Sequence, residues 1–175
     1  MRIAGNNICI RPITESDLEM KVKWINDPDV HKYLHYEIPL RLDKTIDWFR
    51  RVSKDSSRYD FVIETTEADP IGLVGLIGIN ERYQTAEFYI AIGNKAYWGK
   101  GVGTEAASLI AKWAFGSLGL YKLWVTVRAE NSAMIAMMKK IGYQTEGILR
   151  EERVVDGKRV DIVRMGLLKK EFIDK

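Results

Sequence analysis

The chain has 175 residues, 46% of them hydrophobic and 29% charged, with a formal net charge of +3 and one cysteine. That length and balance fit one globular domain over residues 1–175, and the lone Cys9 excludes an internal disulfide or a cysteine-based metal cluster. No stretch is apolar enough to cross a bilayer, Met1 to Gly5 carries no apolar signal core, and no concentrated basic run is present. A cytoplasmic protein without a membrane or nucleic-acid partner is therefore expected. His31 and His35 are spaced to share one helix face, but no carboxylate motif accompanies them, so no metal site is expected.

The chain opens with a short strand, Ile8 to Arg11, which Pro12 ends by removing a ladder donor. Thr14-Glu15-Ser16-Asp17 has the hydroxyl cap and early acids of a helix start, and predicts a helix to about Trp24. Asp27-Pro28 predicts a second, short helix with Asp27 as N-cap and Pro28 in its first turn. After a less regular stretch through Tyr33, Tyr36 and Ile38, the spacing of Ile46, Phe49 and Arg50 predicts a helix over 43–52.

Past the polar loop 53–57 the period becomes that of strands. Phe61 to Glu64 and Ile71 to Ile79 form two hairpin-linked strands across Ala68-Asp69-Pro70. A fourth strand, Ala86 to Ile92, places Ala86, Phe88, Ile90 and Ile92 on one face and Glu87, Tyr89 and Ala91 on the other. A glycine loop then leads into a helix over 102–115 with Ala107, Ile110, Ala111 and Ala114 as its buried stripe. Gly116 to Gly119 ends that helix, and Leu123, Val125 and Val127 alternate through a strand returning beside the fourth. Asn131-Ser132 caps a helix to about Ile141, with Gly142 closing it. Two last strands flank the hairpin signal Asp156-Gly157. The fold class is α+β (α/β): a mixed central sheet of about seven strands flanked by four or more helices.

The loop Trp98-Gly99-Lys100-Gly101-Val102-Gly103-Thr104 is the chemical centre. Backbone N–H groups at a helix start, unpaired and at the positive end of the dipole, bind anions, and glycine lets a phosphate come close. Gly101 to Ala106 also fits the dinucleotide pattern Gly-x-Gly-x-x-Gly/Ala. In a Rossmann unit, however, the glycines follow directly on a strand, whereas here residues 94–98 intervene, and only one helix and a hairpin follow the next strand. No Gly-Lys-Ser/Thr follows, which excludes a P-loop.

The element order resembles the GNAT superfamily of N-acetyltransferases. Its signature, Gln/Arg-x-x-Gly-x-Gly/Ala, is matched by 98–103 at both small positions. Trp98 stands in the Gln/Arg position, a departure shared with the RimJ/RimL-like branch that acetylates protein N-termini. The stretches 86–88, 120–123, the Asn131 helix and the last hairpin also resemble bacterial spermidine N-acetyltransferases. The resemblance implies acetyl-CoA as co-substrate. Gly101, Val102, Gly103 and Thr104 would offer N–H groups to its pyrophosphate, Gly99 close approach and Lys100 charge, with Lys139 and Lys140 either near the ribose phosphate or simply solvated. It implies that main-chain groups of Ile90, Ala91 and Ile92 pair with the pantetheine arm like an added strand. Gly93-Asn94 would mark where the fourth strand leaves its neighbour. Asn131 would bond the arm, cap its helix, or both.

Direct attack on the thioester needs a neutral amine, although alkyl amines titrate near about 10. Glu87 is the candidate general base, directly or through a water; a salt-bridged surface glutamate is the other reading. The family's general acid is a tyrosine in the pattern Asn-x-x-Ala-x-x-x-Tyr-x-Lys-x-Gly-Phe. Here that position is Met138, so the thiol leaves as thiolate or Tyr36, Tyr89 or Tyr97 substitutes. Met134, Met137 and Met138 are expected to pack the core or line the slot. The acceptor pocket implied by the family holds Trp24, Asp27, Asp29, His31, Tyr33, His35, Tyr36 and Glu37, with Glu151, Glu152 and Asp156. Acidic and aromatic groups suit a cationic amine. The reading that follows is a RimJ/RimL-like enzyme acting on a protein N-terminal amine. The alternatives are a polyamine or nucleotide-linked amino-sugar acetyltransferase, or a non-catalytic acyl-CoA-binding module. Pairing of the last strands would make a homodimer.

Overall fold

A computed structural model describes residues 1–173. The strands are β1 (Ile3–Ala4), β2 (Ile8–Pro12), β3 (Tyr59–Thr65), β4 (Pro70–Asn80), β5 (Thr85–Ile92), β6 (Lys122–Arg128), β7 (Gln144–Val155) and β8 (Lys158–Leu168). The helices are α1 (Leu18–Asn26), α2 (Pro28–His31), α3 (Leu42–Val52), α4 (Val102–Gly116) and α5 (Ser132–Ile141). The sheet has eight strands in the order β1-β2-β3-β4-β5-β6-β8-β7, and every pair is antiparallel except β5 with β6. The additional strand is β1, two residues too short to carry an alternating pattern.

One sheet face carries the main core. The α4 stripe of Ala107, Ile110, Ala111 and Ala114 packs with Ile10, Phe61, Ile63, Leu76, Phe88 and Leu123. Phe61 and Ile63, Ala86 and Phe88, and Leu123 and Val125 are alternate residues of their strands, as the period-two geometry requires. The other face is covered by α1 to α3. Here Leu18 and Ile25 are buried outside that cluster, and Lys21 and Arg58 both lie over the Trp48 ring.

Polar anchors fix α1. A 3-10 turn, Glu15–Asp17, takes up the start of the expected first helix, so the α-helix itself begins at Leu18 and runs past Trp24 to Asn26. Buried Asp17 accepts from Arg11 Nη1 and Nη2 at 2.7 and 2.8 Å and from the Thr14 N–H at 2.7 Å. Arg11 Nε donates to Glu64 on β3 at 2.7 Å. Such charge-assisted bonds leave no buried donor or acceptor unpaired at the junction.

Asp27 caps α2 by accepting from the Asp29 N–H at 2.9 Å, with Pro28 at the first position. That helix ends at His31, so His31 and His35 do not share a helix face. Asp156 and Gly157 both have positive φ, 49° and 74°, as a tight hairpin turn between Val155 and Lys158 demands.

Gly93 closes β5 with its N–H on the Ile71 carbonyl at 2.9 Å. A Cβ there would overlap the Trp24 ring of α1. Gly93→Ala is therefore expected to cost about 1–3 kcal/mol by overpacking, read as a lower midpoint in urea unfolding.

Candidate active site

Parallel pairing between β5 and β6 covers only Thr85/Lys122, Ala86/Leu123 and Glu87/Trp124. Beyond Glu87, β5 stays on β4 and β6 stays on β8, so the sheet splits into a V. This corrects the expectation that the strands part at Gly93-Asn94; they part at Glu87. A bulge in β4 between Ile77 and Asn80 lies opposite the same point, and bulges bend the strand that carries them.

The split leaves one edge of β5 open. The Gly93 to Ile71 bond sets the phase of the antiparallel ladder, in which Ala91 faces Leu73 and Ile90 faces Val74. By alternation, the main-chain groups of Ala91 turn to β4, while those of Ile90 and Ile92 turn to the open edge. Trp98 Nε1 donates to the Ile92 carbonyl at 2.8 Å, which fastens the glycine loop to the end of that edge.

In the loop itself, Gly99 (φ 72°) and Gly101 (φ 83°) are left-handed, and Gly101 is the N-cap of α4. The bond from this helix back to its cap runs from the Glu105 N–H to the Gly101 carbonyl at 3.0 Å. The N–H groups of Gly101, Val102, Gly103 and Thr104 therefore precede any intrahelical partner. A Cβ at Gly99 or Gly101 would meet nothing within 4 Å, so both positions face open space. Gly103 backs onto Met137, whose Sδ would be 3.0 Å from an added Cβ. Lys100 is exposed, its Nζ 5.4 Å from the Tyr97 ring centre.

Within the V lies a cavity of about 360 Å³, walled by β5 and β6 and roofed by residues 33–36. Glu87 is half-buried in its wall and accepts from the Thr126 hydroxyl at 3.2 Å. Burial pushes the Glu87 carboxyl up, against the opposing effects of the Thr126 bond and the Arg153 and Arg164 charges. Glu87 is the one carboxylate lining the cavity among the described residues; Arg58 and Arg128 supply the cations. Arg58 is held by Asp60, with Nε and Nη2 at 2.7 and 2.8 Å. Arg128 donates to the Lys32 carbonyl at 2.8 Å and to Glu130 at 2.7 Å, pinning the loop that roofs the cavity.

Of the acceptor-side residues expected from the sequence, Tyr33, His35 and Tyr36 reach this cavity. Asp27 and Asp29 do not: both are paired with Lys95 at 2.8 Å. Trp24 packs on Gly93, and Glu37 lines a neighbouring cavity. Glu151 sits in a bulge of β7 and Asp156 in the hairpin turn. Tyr89, a candidate acid, is half-buried and donates its hydroxyl to Asp60 at 2.5 Å; desolvation of the hydroxyl first, then Asp60, holds that proton tightly. Met138 is fully buried in the core, while Met134 lines the cavity. The Asn131 side chain caps α5 on the Met134 N–H at 3.1 Å and also faces the cavity. Lys139 and Lys140 are exposed in the last turn of α5. Thr126 and Arg128 are site residues that the sequence reading missed. Their signal was the polar alternation opposite Leu123, Val125 and Val127 on β6.

The chain belongs to the family described as the Acetyltransferase (GNAT) domain, whose model matches residues 7–144, and it is an acetyl-CoA-dependent N-acetyltransferase. It is 31% identical over 170 residues to the spermidine N(1)-acetyltransferase of Escherichia coli (strain K12), covering 97% of this chain and 90% of that one. With the spermidine N(1)-acetyltransferase of Vibrio cholerae it shares 26% identity over 171 residues, covering 98% of both chains. A crystal structure of the Vibrio cholerae spermidine N-acetyltransferase in complex with CoA and spermine superposes with a TM-score of 0.90 at 27% identity, covering 95% of this chain and 98% of that one.

The neighbouring cavity, about 420 Å³, shares Tyr36 and Trp48 with the first. Buried Lys21 lies in its wall, with Nζ 3.3 Å from the Trp48 ring centre. Burial pushes Lys21 down to about 8, partly offset by Asp60. A lysine lowered on folding opposes folding while it is charged in both states, and that penalty fades as pH rises from the folded value to the unfolded one. Lys21→Met should therefore raise stability at pH 7 by on the order of 1–3 kcal/mol, with a gain that shrinks toward pH about 10.4, measured by thermal unfolding across pH.

Proposed function

We propose that the α4 loop and the open edge of β5 hold acetyl-CoA, and that Glu87 delivers the neutral acceptor amine. The divergence of β5 and β6 at Glu87 carries this reading, because it sets the carboxylate where an arm lying along Ile90 and Ile92 would end. The helix N-terminus, with glycines that leave room for a phosphate, supports pyrophosphate binding by Gly101, Val102, Gly103 and Thr104. Trp98 orients the loop, Gly99 and Lys100 border it, and Asn131 faces the same cleft.

Glu87 takes a proton from the ammonium form, directly or through a water, and the freed nitrogen lone pair attacks the thioester carbon. The carbon–sulfur bond breaks, its electron pair leaves on sulfur, and the second proton of the acylated nitrogen passes to that thiolate or to water, leaving a neutral amide. A thiol titrating near about 8.5 leaves as thiolate without a tyrosine donor, consistent with Met138 lying in the core.

For the acceptor, the named relatives support a polyamine such as spermidine. A second acceptor class, an amine that also carries a carbonyl or anionic oxygen, is favoured by one observation. Asp27 and Asp29 are tied to Lys95, so Glu87 is the one carboxylate lining the cavity among the described residues, beside the guanidiniums of Arg58 and Arg128, which hold Asp60 and Glu130. The N-terminal residue of a protein and a nucleotide-linked amino sugar both belong to that class. Thiol release with spermidine, an N-terminal peptide and an amino sugar ranks the two classes by kcat/KM.

Glu87→Gln is expected to lower kcat by about 10²- to 10⁴-fold and to abolish an acidic limb that lies above the ordinary carboxylate range. Rates fall as pH drops through that limb, because only the ionised base works. Gly101→Ala forces a left-handed alanine, costing about 1–2 kcal/mol, and should weaken acetyl-CoA binding roughly 5- to 30-fold by calorimetry.

A further inference from the structure

Arg153 takes no part in the chemistry so far, yet it is aimed at its centre. It lies on β7 just past a bulge: Leu149 faces Ile162, Arg153 faces Val160, and four steps on β7 therefore span two on β8. Within the bulge Glu151 has φ 51° and donates its N–H to Asp161 Oδ1 at 2.7 Å. Bulges bend the strand that carries them, and here the side chain that follows reaches over β8 to β6. Arg153 Nη2 points to Thr126 Oγ1 at 3.4 Å, and that hydroxyl donates to Glu87 Oε1 at 3.2 Å. Its Nη1 is buried with no hydrogen-bond partner, an arrangement that a role in holding the strands together does not explain.

A guanidinium only donates. With Arg153 on one lone pair of the Thr126 oxygen, the hydroxyl proton is left to point at Glu87, where it meets an acceptor. We propose that Arg153 is a positioning residue: through the Thr126 hydroxyl it keeps the Glu87 carboxylate in its charged, proton-accepting form and fixes its direction. The inference rests on Glu87 being the base.

Other charged groups face the same carboxylate. Arg128 is on β6, Arg164 on β8 has its guanidinium 3.9 Å from the Trp124 ring centre, and His35 and Arg58 line the cavity. His35 is pushed down to about 4 by desolvation, then by Arg153 and Arg128, and so carries no charge near neutral pH. Arg58 is neutralised by Asp60 and Arg128 by Glu130. Arg153 and Arg164 are the cations whose charges act on Glu87, Arg164 with its Nε also 3.9 Å from Glu146, and among the described residues Arg153 alone reaches Glu87 through a hydrogen-bonded chain.

The test is a 13C titration of glutamate-labelled protein, with the Glu87 carboxyl assigned by its loss in Glu87→Gln. Arg153→Leu should raise the Glu87 midpoint by about one pH unit, Thr126→Val should move it the same way, and Arg153→Lys should return it toward wild type. The acidic limb of kcat/KM with spermidine should follow, leaving the high-pH plateau in place. In Glu87→Gln, adding Arg153→Leu should change no rate. An unmoved midpoint in both Arg153→Leu and Thr126→Val, or a further loss in the Glu87→Gln background, overturns the inference. Thr126→Val keeps it testable if Arg153→Leu is unstable. If Glu87→Gln retains full activity, the base assignment falls separately, whatever the titration gives.

Discussion

The site depends on one constraint: two adjacent parallel strands that pair for only three residues before each follows its other neighbour. A continuous sheet would satisfy every main-chain group along β5 and leave no edge. By releasing β6 at Glu87, the fold exposes the N–H and C=O of Ile90 and the N–H of Ile92 along β5, groups that need a partner, while the Ile92 carbonyl is taken by Trp98 Nε1. The same divergence makes the cavity and puts Glu87 at its apex, so the open edge of β5 and the half-buried carboxylate share one geometric origin.

Around that split, the elements that bear on function are held by charge and aromatic contacts. Arg11 ties α1 to β2 and β3 through Asp17 and Glu64, Lys95 ties α2 to the loop after β5 through Asp27 and Asp29, and Arg128 ties the roof of the cavity to β6. These pairings consume the acids that looked available to a cationic acceptor. What faces the cavity is set by which charges are already paired, and the result is a wall with one desolvated carboxylate, Glu87, and two guanidiniums that already hold Asp60 and Glu130. The relatives named for spermidine share the frame; the acceptor is a property of the wall.

Much of this was legible in order and period. Alternation through Ala86, Phe88 and Leu123, Val125 placed two strands, the Ala107 to Ala114 stripe placed α4, and Gly99, Gly101 and Gly103 marked the loop at its start. Each is a local signal, in which a side chain's neighbours along the chain determine its face. The point where β5 and β6 part was misread, because Gly93 carries an obvious signal for a break and Glu87 carries none. Gly93 is glycine for another reason, the Trp24 ring lying against it.

The sequence by itself determined the element order, the buried face of each element, the helix that opens on glycines, and the presence of Glu87 on the face away from the apolar stripe. These follow from backbone stereochemistry and from hydrophobic periodicity, which act over a few residues. Only the tertiary structure decided that Thr126 and Arg153 converge on Glu87, that Asp27 and Asp29 are paired with Lys95, and that Met138 is core while Met134 lines the cleft. Those outcomes depend on contacts between residues far apart in the chain, where the strength of a charge is set by burial and by its partner, and neither is written in local spacing.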